Sequence, residues 1–124
     1  MIRSQALRDS ARGEACTLNI AGVCNYSPET TVLAHLPFFG PHGSGIKTHD
    51  HIAAFACSAC HTCIDDPGRL PPQDRYLYAA RGMGRTQLRW IERGLITVKG
   101  VKGETRMFRP ASDLRSEAEQ ERLR

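Results

Sequence analysis

The amino-acid sequence predicts a small α+β domain that a bound metal ion helps to hold together. The chain has 124 residues, of which 40% are hydrophobic, and this suits one domain with a modest core. It also has five cysteines and five histidines, and metal ligands commonly supplement a core of this size. The length argues against a complete TIM barrel or a dinucleotide-binding fold with its own substrate domain.

The two ends of the chain are polar. Residues 1–15 mix both charges without an apolar period, so we expect a flexible N-terminal arm, and residues 110–124 predict a charged C-terminal tail. No segment approaches the roughly 20 apolar residues of a membrane span, and the N-terminus lacks the apolar stretch of a signal peptide. We therefore expect a soluble cytoplasmic protein that does not bind membranes. In that compartment clustered cysteines bind metal more often than they form disulfides.

The first half of the chain contains a partly alternating segment, a strand and a loop. Residues 16–24 alternate in part and run into a turn signal at residues 25–29. Residues 30–36 are β-branched and apolar and stop before Pro37, which predicts a strand with a histidine near its end. Residues 38–47 are too rich in glycine and proline for a regular element, so a loop follows.

Two helices are predicted after this loop. Residues 51–61 are small and apolar and follow N-cap chemistry at residues 48–50, which favours a buried helix. Residues 73–95 have helical periodicity, although Gly82 and Gly84 weaken it and leave a kink or two shorter helices open. Their predicted buried stripe comprises Leu77, Ala80, Gly84, Leu88, Ile91 and Leu95.

Basic residues are concentrated in the second half of the chain. Residues 1–66 hold four Lys/Arg against six Asp/Glu, whereas residues 67–124 hold thirteen against seven. Such asymmetry suggests a surface for a polyanion, and we expect DNA, with a solvated basic face as the alternative. Residues 96–109 predict a short basic hairpin. The candidate phosphate-binding residues on the second helix and the hairpin are Arg81, Arg85, Arg89, Arg93, Lys99, Lys102 and Arg106.

Four cysteines form a candidate structural zinc site. Cys57 and Cys60 make a C-x2-C pair whose thiolates can reach one tetrahedral zinc, and Cys16 and Cys24 can complete the site. Cys63 is the extra cysteine and competes with any of the four, although we expect a buried thiol there. The C-x2-C-x2-C run is also compatible with an iron–sulfur cluster. We do not favour a cluster, because the neighbouring histidines would then have no role.

Two histidines point to a family. His35 lies near the end of the predicted strand, and His61 directly follows the C-x2-C pair, with 25 residues between the two histidines. With these motifs the chain resembles the HNH endonucleases of the His-Me finger, or ββα-metal, superfamily. More narrowly, residues 12–98 resemble the YbcO-type nucleases carried by prophages, through residues 16–24, 28–35, 49–50 and 56–61. The resemblance implies a treble-clef-like ββα-metal core, His35 as general base, and His61 as ligand of catalytic Mg²⁺ or a similar ion.

The sequence departs from the HNH pattern at two positions. The metal-binding Asp or His that usually precedes the base is Ala34 here, and the usual central Asn before His61 is missing. Asp50 is our substitute, since eleven residues separate it from His61 and one helix face could carry both. His49 is the alternative ligand and His51 is the less favoured one, and a helix N-cap is the competing role for Asp50.

These expectations combine into one functional hypothesis. Residues 16–109 form an HNH-like nuclease domain, encoded by a phage or prophage and acting in the bacterial host cytoplasm. The domain hydrolyses DNA phosphodiester bonds with a divalent metal ion, with His35, His61 and Asp50 as catalytic residues. The first alternative is a non-catalytic zinc-stapled DNA-binding module, and the second is a structural protein with a redox or iron–sulfur role.

Overall fold

The computed structural model describes residues 1–39 and 48–101. Within these ranges the chain is a small α+β arrangement of a two-stranded sheet and three α-helices. No helix in them is long and apolar enough to cross a membrane. In chain order the elements are α1 (Gln5–Asp9), β1 (Val32–His35), β2 (Ala53–Ala56), α2 (Ser58–Asp65) and α3 (Pro72–Glu92), with short 3-10 turns at Pro28–Thr30 and Pro37–Phe39.

The sheet brings the end of β1 beside the start of β2. The two strands pair antiparallel, with Val32 opposite Ala56 and His35 opposite Ala53. The strand predicted at residues 30–36 is thus confirmed in its central four residues. All four residues of β2 are buried, so the strand lies inside the domain.

The predicted helix over residues 51–61 is wrong in its first half. Residues 53–56 form β2, and α2 begins only at Ser58. Cys57 caps this helix, because its Sγ accepts the Cys60 backbone N–H at 3.4 Å. A short apolar run is compatible with either a buried helix or a strand buried on both faces, so the pattern could not decide. Asp50 is consequently neither a helix N-cap nor on one helical face with His61.

Helix α3 confirms the predicted 73–95 helix, but a different face of it is buried. Leu77, on the predicted stripe, is 66% exposed. The buried positions are Ala79, Gly82, Thr86, Trp90 and Glu92. A Cβ added at Gly82 would lie 2.5 Å from the Leu18 side chain and 3.2 Å from the Ala54 Cβ. Small residues let α3 approach β2 closely. The predicted buried stripe was instead drawn through the larger apolar residues of the helix.

Two threonines satisfy the backbone of β2. The Phe55 N–H donates to Thr86 Oγ1 at 3.0 Å, and the Phe55 carbonyl accepts the Thr17 N–H at 2.8 Å and hydroxyl at 2.9 Å. The two hydroxyl oxygens are 2.9 Å apart. Because buried backbone groups need partners, this network fixes the segment after Cys16 and α3 to the strand.

The N-terminal residues do not form the flexible arm that we expected. Residues 5–9 are helical, with Ser4 as N-cap, and Leu7 and Ala11 are buried in one cluster with Phe55 and Trp90. The Trp90 indole N–H donates to Ser10 Oγ at 2.7 Å. Two apolar residues four positions apart are too few to establish a period, so the contact was not visible in the sequence.

The predicted hairpin, the tail and the glycine-rich loop lie partly or wholly outside the described residues. Residues 96–101 contain no strand, so the first half of the predicted hairpin is not formed there. The second half, with Lys102 and Arg106, lies outside the described residues, as does the tail at 110–124. So does most of the loop at 38–47, including His42, for which the sequence predicts a surface position or a substrate contact.

Candidate active site and metal centre

Four cysteines from two parts of the chain converge on one point. The sulfur atoms of Cys16, Cys24, Cys57 and Cys60 all lie within 4.8 Å of one another, and Cys24 Sγ is 3.9 Å from Cys57 Sγ. Tetrahedral zinc with Zn–S bonds of about 2.3 Å would place sulfur pairs about 3.8 Å apart. The predicted cysteine set is therefore assembled and can hold a metal such as zinc. Cys63 is buried but lies outside the group.

Backbone turns around the cysteines direct N–H groups at the sulfurs. Asn19 has a φ of 46°, a left-handed conformation that asparagine tolerates, and it turns the chain after Cys16. The Asn25 N–H donates to Cys57 Sγ at 3.5 Å, and the Asn19 side-chain amide donates to Cys24 Sγ at 3.6 Å. Such hydrogen bonds orient thiolate ligands around a metal.

The charge of the cysteine group favours a bound dication. The hydrogen bond with Cys60 lowers the pKa of Cys16 to about 5, and the same bond, with burial, raises the pKa of Cys60. Burial raises the pKa of Cys24 to about 11. Four thiolates within 4.8 Å of one another would repel each other strongly, so a positive charge among them is favourable. Zn²⁺ supplies that charge, so the donor chemistry fits zinc.

His35 and Asp50 form a second centre. His35 is the last residue of β1, Asp50 lies three residues before β2, and the antiparallel pairing brings the two segments together. The His35 Nε2 atom is 2.9 Å from Asp50 Oδ1. The imidazole is 37% exposed whereas the carboxylate is only 1% exposed. A buried acid therefore supports a histidine that reaches solvent.

The surroundings of Asp50 keep it ionised. Its Oδ2 accepts the Ser4 N–H at 2.7 Å and lies 3.4 Å from the Arg8 Nε atom. Burial alone would raise the pKa of Asp50, but the hydrogen bonds from Ser4 and His35 and the charges of His35 and Arg8 together lower it. In the neutral imidazole, a carboxylate at Oδ1 requires Nε2 to carry the hydrogen, which leaves the lone pair on Nδ1.

The other two histidines near Asp50 have different surroundings. His49 Nδ1 accepts the Ile2 N–H at 2.7 Å, so one ring nitrogen is already bound to protein. The His51 ring lies 5.6 Å from that of His49, and its buried Nδ1 has no hydrogen-bond partner in the described part of the chain. Ala34, at the position of the expected ligand, is fully buried in the core.

His61 pairs with a residue that the sequence analysis missed. Its Nε2 lies 3.0 Å from Asp65 Oδ2, one turn further along α2. The two side chains are 39% and 57% exposed. The spacing of four residues on a helix was the available signal, since such residues face each other. The pair offers one nitrogen and one carboxylate donor towards solvent.

Three arginines of α3, and Arg93 at its C-cap, contact the N-terminal segment. Arg81 donates to the Leu18 carbonyl at 2.9 Å, and Arg85 donates to Asn19 Oδ1 at 3.3 Å. Arg89 Nε lies 3.1 and 3.0 Å from the two carboxylate oxygens of Glu14, and Arg93 Nη1 donates to the same carboxylate at 3.2 Å. All four thus help to hold the fold. Lys99 is exposed beyond α3.

The structure brings together some predicted site residues and separates others. Within residues 1–39 and 48–101, the cysteine group is the one set of three or more His, Cys, Asp or Glu side chains arranged to hold an ion. His61, Asp50 and His49 are not gathered in such a set. Asp50 contacts His35, and His61 contacts Asp65.

The chain is similar to known proteins over the region that contains this site. The model of the family described as "Putative nuclease YbcO" matches residues 5–95. "Putative nuclease YbcO" of Escherichia coli (strain K12) and "Putative nuclease ybcO" of Enterobacteria phage 82 are each 46% identical over 96 residues. These alignments cover 73% of this chain and 95% of each relative.

A solved structure is similar as well. It is described as a "putative bacteriophage protein from Escherichia coli str. K-12 substr. MG1655", has 42% sequence identity and superposes with a TM-score of 0.59. The match covers 72% of this chain and 100% of that chain. The residues matched by the family model include all elements from α1 to α3.

Proposed function

The chain belongs to the YbcO family, and from this premise we propose that it is a divalent-metal-dependent endonuclease that hydrolyses DNA phosphodiester bonds. Its relatives are named as nucleases, and one comes from a phage, which supports a nuclease of phage or prophage origin. The observation that carries the finer proposal is the contact between His35 and Asp50. It supplies what a general base needs, which is a free nitrogen and a fixed orientation.

His35 is proposed to take the proton from the attacking water. Its Nδ1 carries the lone pair when Nε2 donates to the Asp50 carboxylate. Asp50 keeps the ring oriented and stabilises the imidazolium that forms after proton transfer. Asp50 is thus a positioning residue in this proposal, because the Ser4 N–H and the His35 ring already occupy its oxygens.

His61 is proposed to bind the divalent ion, with Asp65 beside it. A ring nitrogen and a carboxylate oxygen that both reach solvent suit Mg²⁺ or Mn²⁺, and solvent can complete the coordination. When bound, such an ion neutralises charge on the phosphate and its leaving oxygen. His49 is the alternative ligand, since the Ile2 N–H binds its Nδ1 and not its Nε2. The four cysteines would hold a separate, structural zinc.

The DNA backbone is proposed to lie along the basic side of α3. Arg81 and Lys99 are exposed, and the contacts of Arg81 are with backbone carbonyls and not with a carboxylate, so both are the first candidates for phosphate contacts. Arg89 and Arg93 are already paired with Glu14, so their first role is in the fold. Arg85, Lys102 and Arg106 remain candidate phosphate contacts.

A non-catalytic zinc-stapled DNA-binding module is the second candidate. The observation in its favour is Ala34, which is fully buried where the HNH pattern has a metal ligand. The module would retain the cysteine site and the basic helix without cleaving DNA.

Nicking of supercoiled plasmid separates these functions. We expect cleavage with added Mg²⁺ or Mn²⁺ and none when divalent ions are withheld. His35→Ala should cleave about 10²- to 10⁴-fold more slowly, the usual cost of losing a general base. Zinc content, thermal melting and DNA affinity of the variant provide the control for folding. Tight binding by the wild type without cleavage under any divalent ion would leave the binding module as the function.

A further inference from the structure

An open aromatic cleft lies beside the end of β1. Pro37, Phe38, Arg75 and Tyr76 line it, and its volume is about 350 Å³. Tyr76 is 47% exposed at its rim. None of these residues belongs to the cysteine group or to the His35–Asp50 pair. The cleft therefore has no role in the chemistry described so far.

The cleft combines aromatic faces with a fixed cation. The rings of Phe38 and Tyr76 have centroids 5.3 Å apart at 73°, an edge-to-face contact. The guanidinium carbon of Arg75 lies 4.5 Å from the centroid of the Phe38 ring. Arg75 Nε also donates to the Ile64 carbonyl at 2.9 Å, which holds the guanidinium in place at the end of α2.

We propose that this cleft binds an unpaired nucleobase of the DNA strand that the protein cleaves. The inference rests on the proposed function, because it names the substrate class of the same site. Bases stack on aromatic side chains irrespective of sequence, and an adjacent arginine adds a cation–π contribution. Pro37 is two residues after His35, so at most about 7 Å of backbone separates their Cα atoms. A base in the cleft would thus lie next to the phosphate at His35.

Charge favours a nucleotide over an apolar protein segment. An apolar side chain in the cleft would leave the terminal nitrogens of Arg75 without a partner, and desolvating a cation unpaired is costly. A nucleotide presents a π-face to the exposed ring of Tyr76, which is nearly perpendicular to the Phe38 ring, and a phosphate to Arg75. The exposed phenol of Tyr76 also suits an occupant with polar edges.

The proposal restricts the substrate. Bases in an intact duplex are stacked and paired, so they cannot enter the cleft without unstacking, which costs a few kcal/mol. Single-stranded or branched DNA presents free bases without that cost. The protein should therefore prefer substrates with unpaired nucleotides near the cleaved bond.

Binding measurements without added divalent ion test this directly. We would titrate a fluorescent oligothymidine strand and a blunt duplex of equal length at one salt concentration. Tyr76→Ala should weaken binding to the single strand by about 5- to 150-fold, the contribution of one stacked base. Affinity for the duplex should stay within about twofold. Tyr76→Phe should restore single-strand binding, and Leu77→Ala is the matched control, since Leu77 is 66% exposed but does not line the cleft.

A photocross-link to the wild-type protein tests the proposal without a variant that could fail to fold. Single strands that contain 5-iodouracil should cross-link to Tyr76 or Phe38, and peptide mapping identifies the site. Equal losses on both DNA forms, an equal loss with Leu77→Ala, no DNA binding by the wild type, or no cross-link in the cleft would each overturn the proposal. Because no step requires cleavage, an inactive wild type would refute the nuclease function and leave this result interpretable.

Discussion

His35 and Asp50 are joined by a 2.9 Å contact in which a buried carboxylate supports a solvent-reaching imidazole. The second oxygen of Asp50 accepts the Ser4 N–H, so the start of α1 is part of the same unit. The N-terminal segment, which the sequence suggested was a loose arm, therefore contributes to the proposed site.

Asp50→Asn should separate orientation of the base from binding of DNA. The Ser4 N–H and His35 Nε2–H meet different oxygens of Asp50, and in asparagine one of these becomes an NH2 donor. The ring would then lose its fixed tautomer. We expect cleavage to fall on the order of 10²-fold or more, with DNA affinity and zinc content kept. Single-turnover plasmid cleavage measures this. The exposed Asp9→Asn change is the control, and wild-type cleavage by Asp50→Asn would remove Asp50 from the mechanism.

Replacing a cysteine of the metal group should release zinc and unfold much of the domain. The unfolded chain has no preformed site, so the binding free energy of the metal contributes directly to folding. We expect Cys24→Ser or Cys60→Ser to lose the metal by elemental analysis and to melt far below the wild type. Cys63→Ala should keep its zinc, because Cys63 lies outside the group. Wild-type metal content in Cys24→Ser would contradict the four-cysteine assignment.

The two glycines of α3 should respond in opposite directions to alanine. Gly84 has nothing within 4 Å of an added Cβ, so Gly84→Ala should stabilise by about 0.5–1 kcal/mol through helix propensity. At Gly82 the Cβ meets Leu18 and Ala54, so Gly82→Ala should destabilise by about 1–3 kcal/mol. Urea unfolding of both variants measures the difference. Equal stabilisation would mean that α3 does not pack this tightly on β2.

Glu14 and Arg89 should be coupled in stability. Both Glu14 oxygens lie near Arg89 Nε, and this hydrogen bonding is the main reason that the pKa of Arg89 is raised. A double-mutant cycle with Glu14→Ala and Arg89→Ala should give a coupling of about 0.5–3 kcal/mol by urea unfolding. Glu14→Ala with the exposed Arg12→Ala is the control pair. Additive effects for Glu14 and Arg89 would return Arg89 to the list of free phosphate contacts.

Strand β1, helix α3 and the cysteine group could be predicted from local sequence patterns. The β-branched run before Pro37 predicted β1, and helical periodicity predicted α3. Cysteine spacing predicted the group of four cysteines, whose sulfur atoms lie close enough together to hold a metal. Strand β2 was missed because four consecutive apolar residues have no period of their own. The buried face of α3 was missed because its close packing depends on Gly82, a residue that hydrophobicity ranks poorly.

The partners of the site residues depend on tertiary contacts that no local pattern encodes. Asp50 reaches His35 only because β1 and β2 pair, and it is fixed by Ser4, 46 positions away. Asp65 was the exception, since its spacing of four from His61 was readable. The catalytic and metal roles assigned to His35, Asp50, His61 and His49 stay predictions.

The pair of His61 and Asp65 should distinguish binding of the catalytic ion from binding of structural zinc. Both donors are exposed on α2, and neither belongs to the cysteine group, so their loss should not disturb the fold. We expect His61→Ala to abolish metal-dependent cleavage, and Asp65→Asn to raise the Mn²⁺ concentration needed for half-maximal cleavage about 10- to 100-fold. Thermal melting and zinc content should match the wild type.

Asp66→Asn is the matched control for these variants, because its side chain can still accept the Gly68 N–H through its amide oxygen. If His61→Ala and Asp65→Asn require the same Mn²⁺ concentration as the wild type, the ion is held elsewhere. His49, whose Nδ1 is bound by the Ile2 N–H while its Nε2 is left for an ion, is then the next residue to replace.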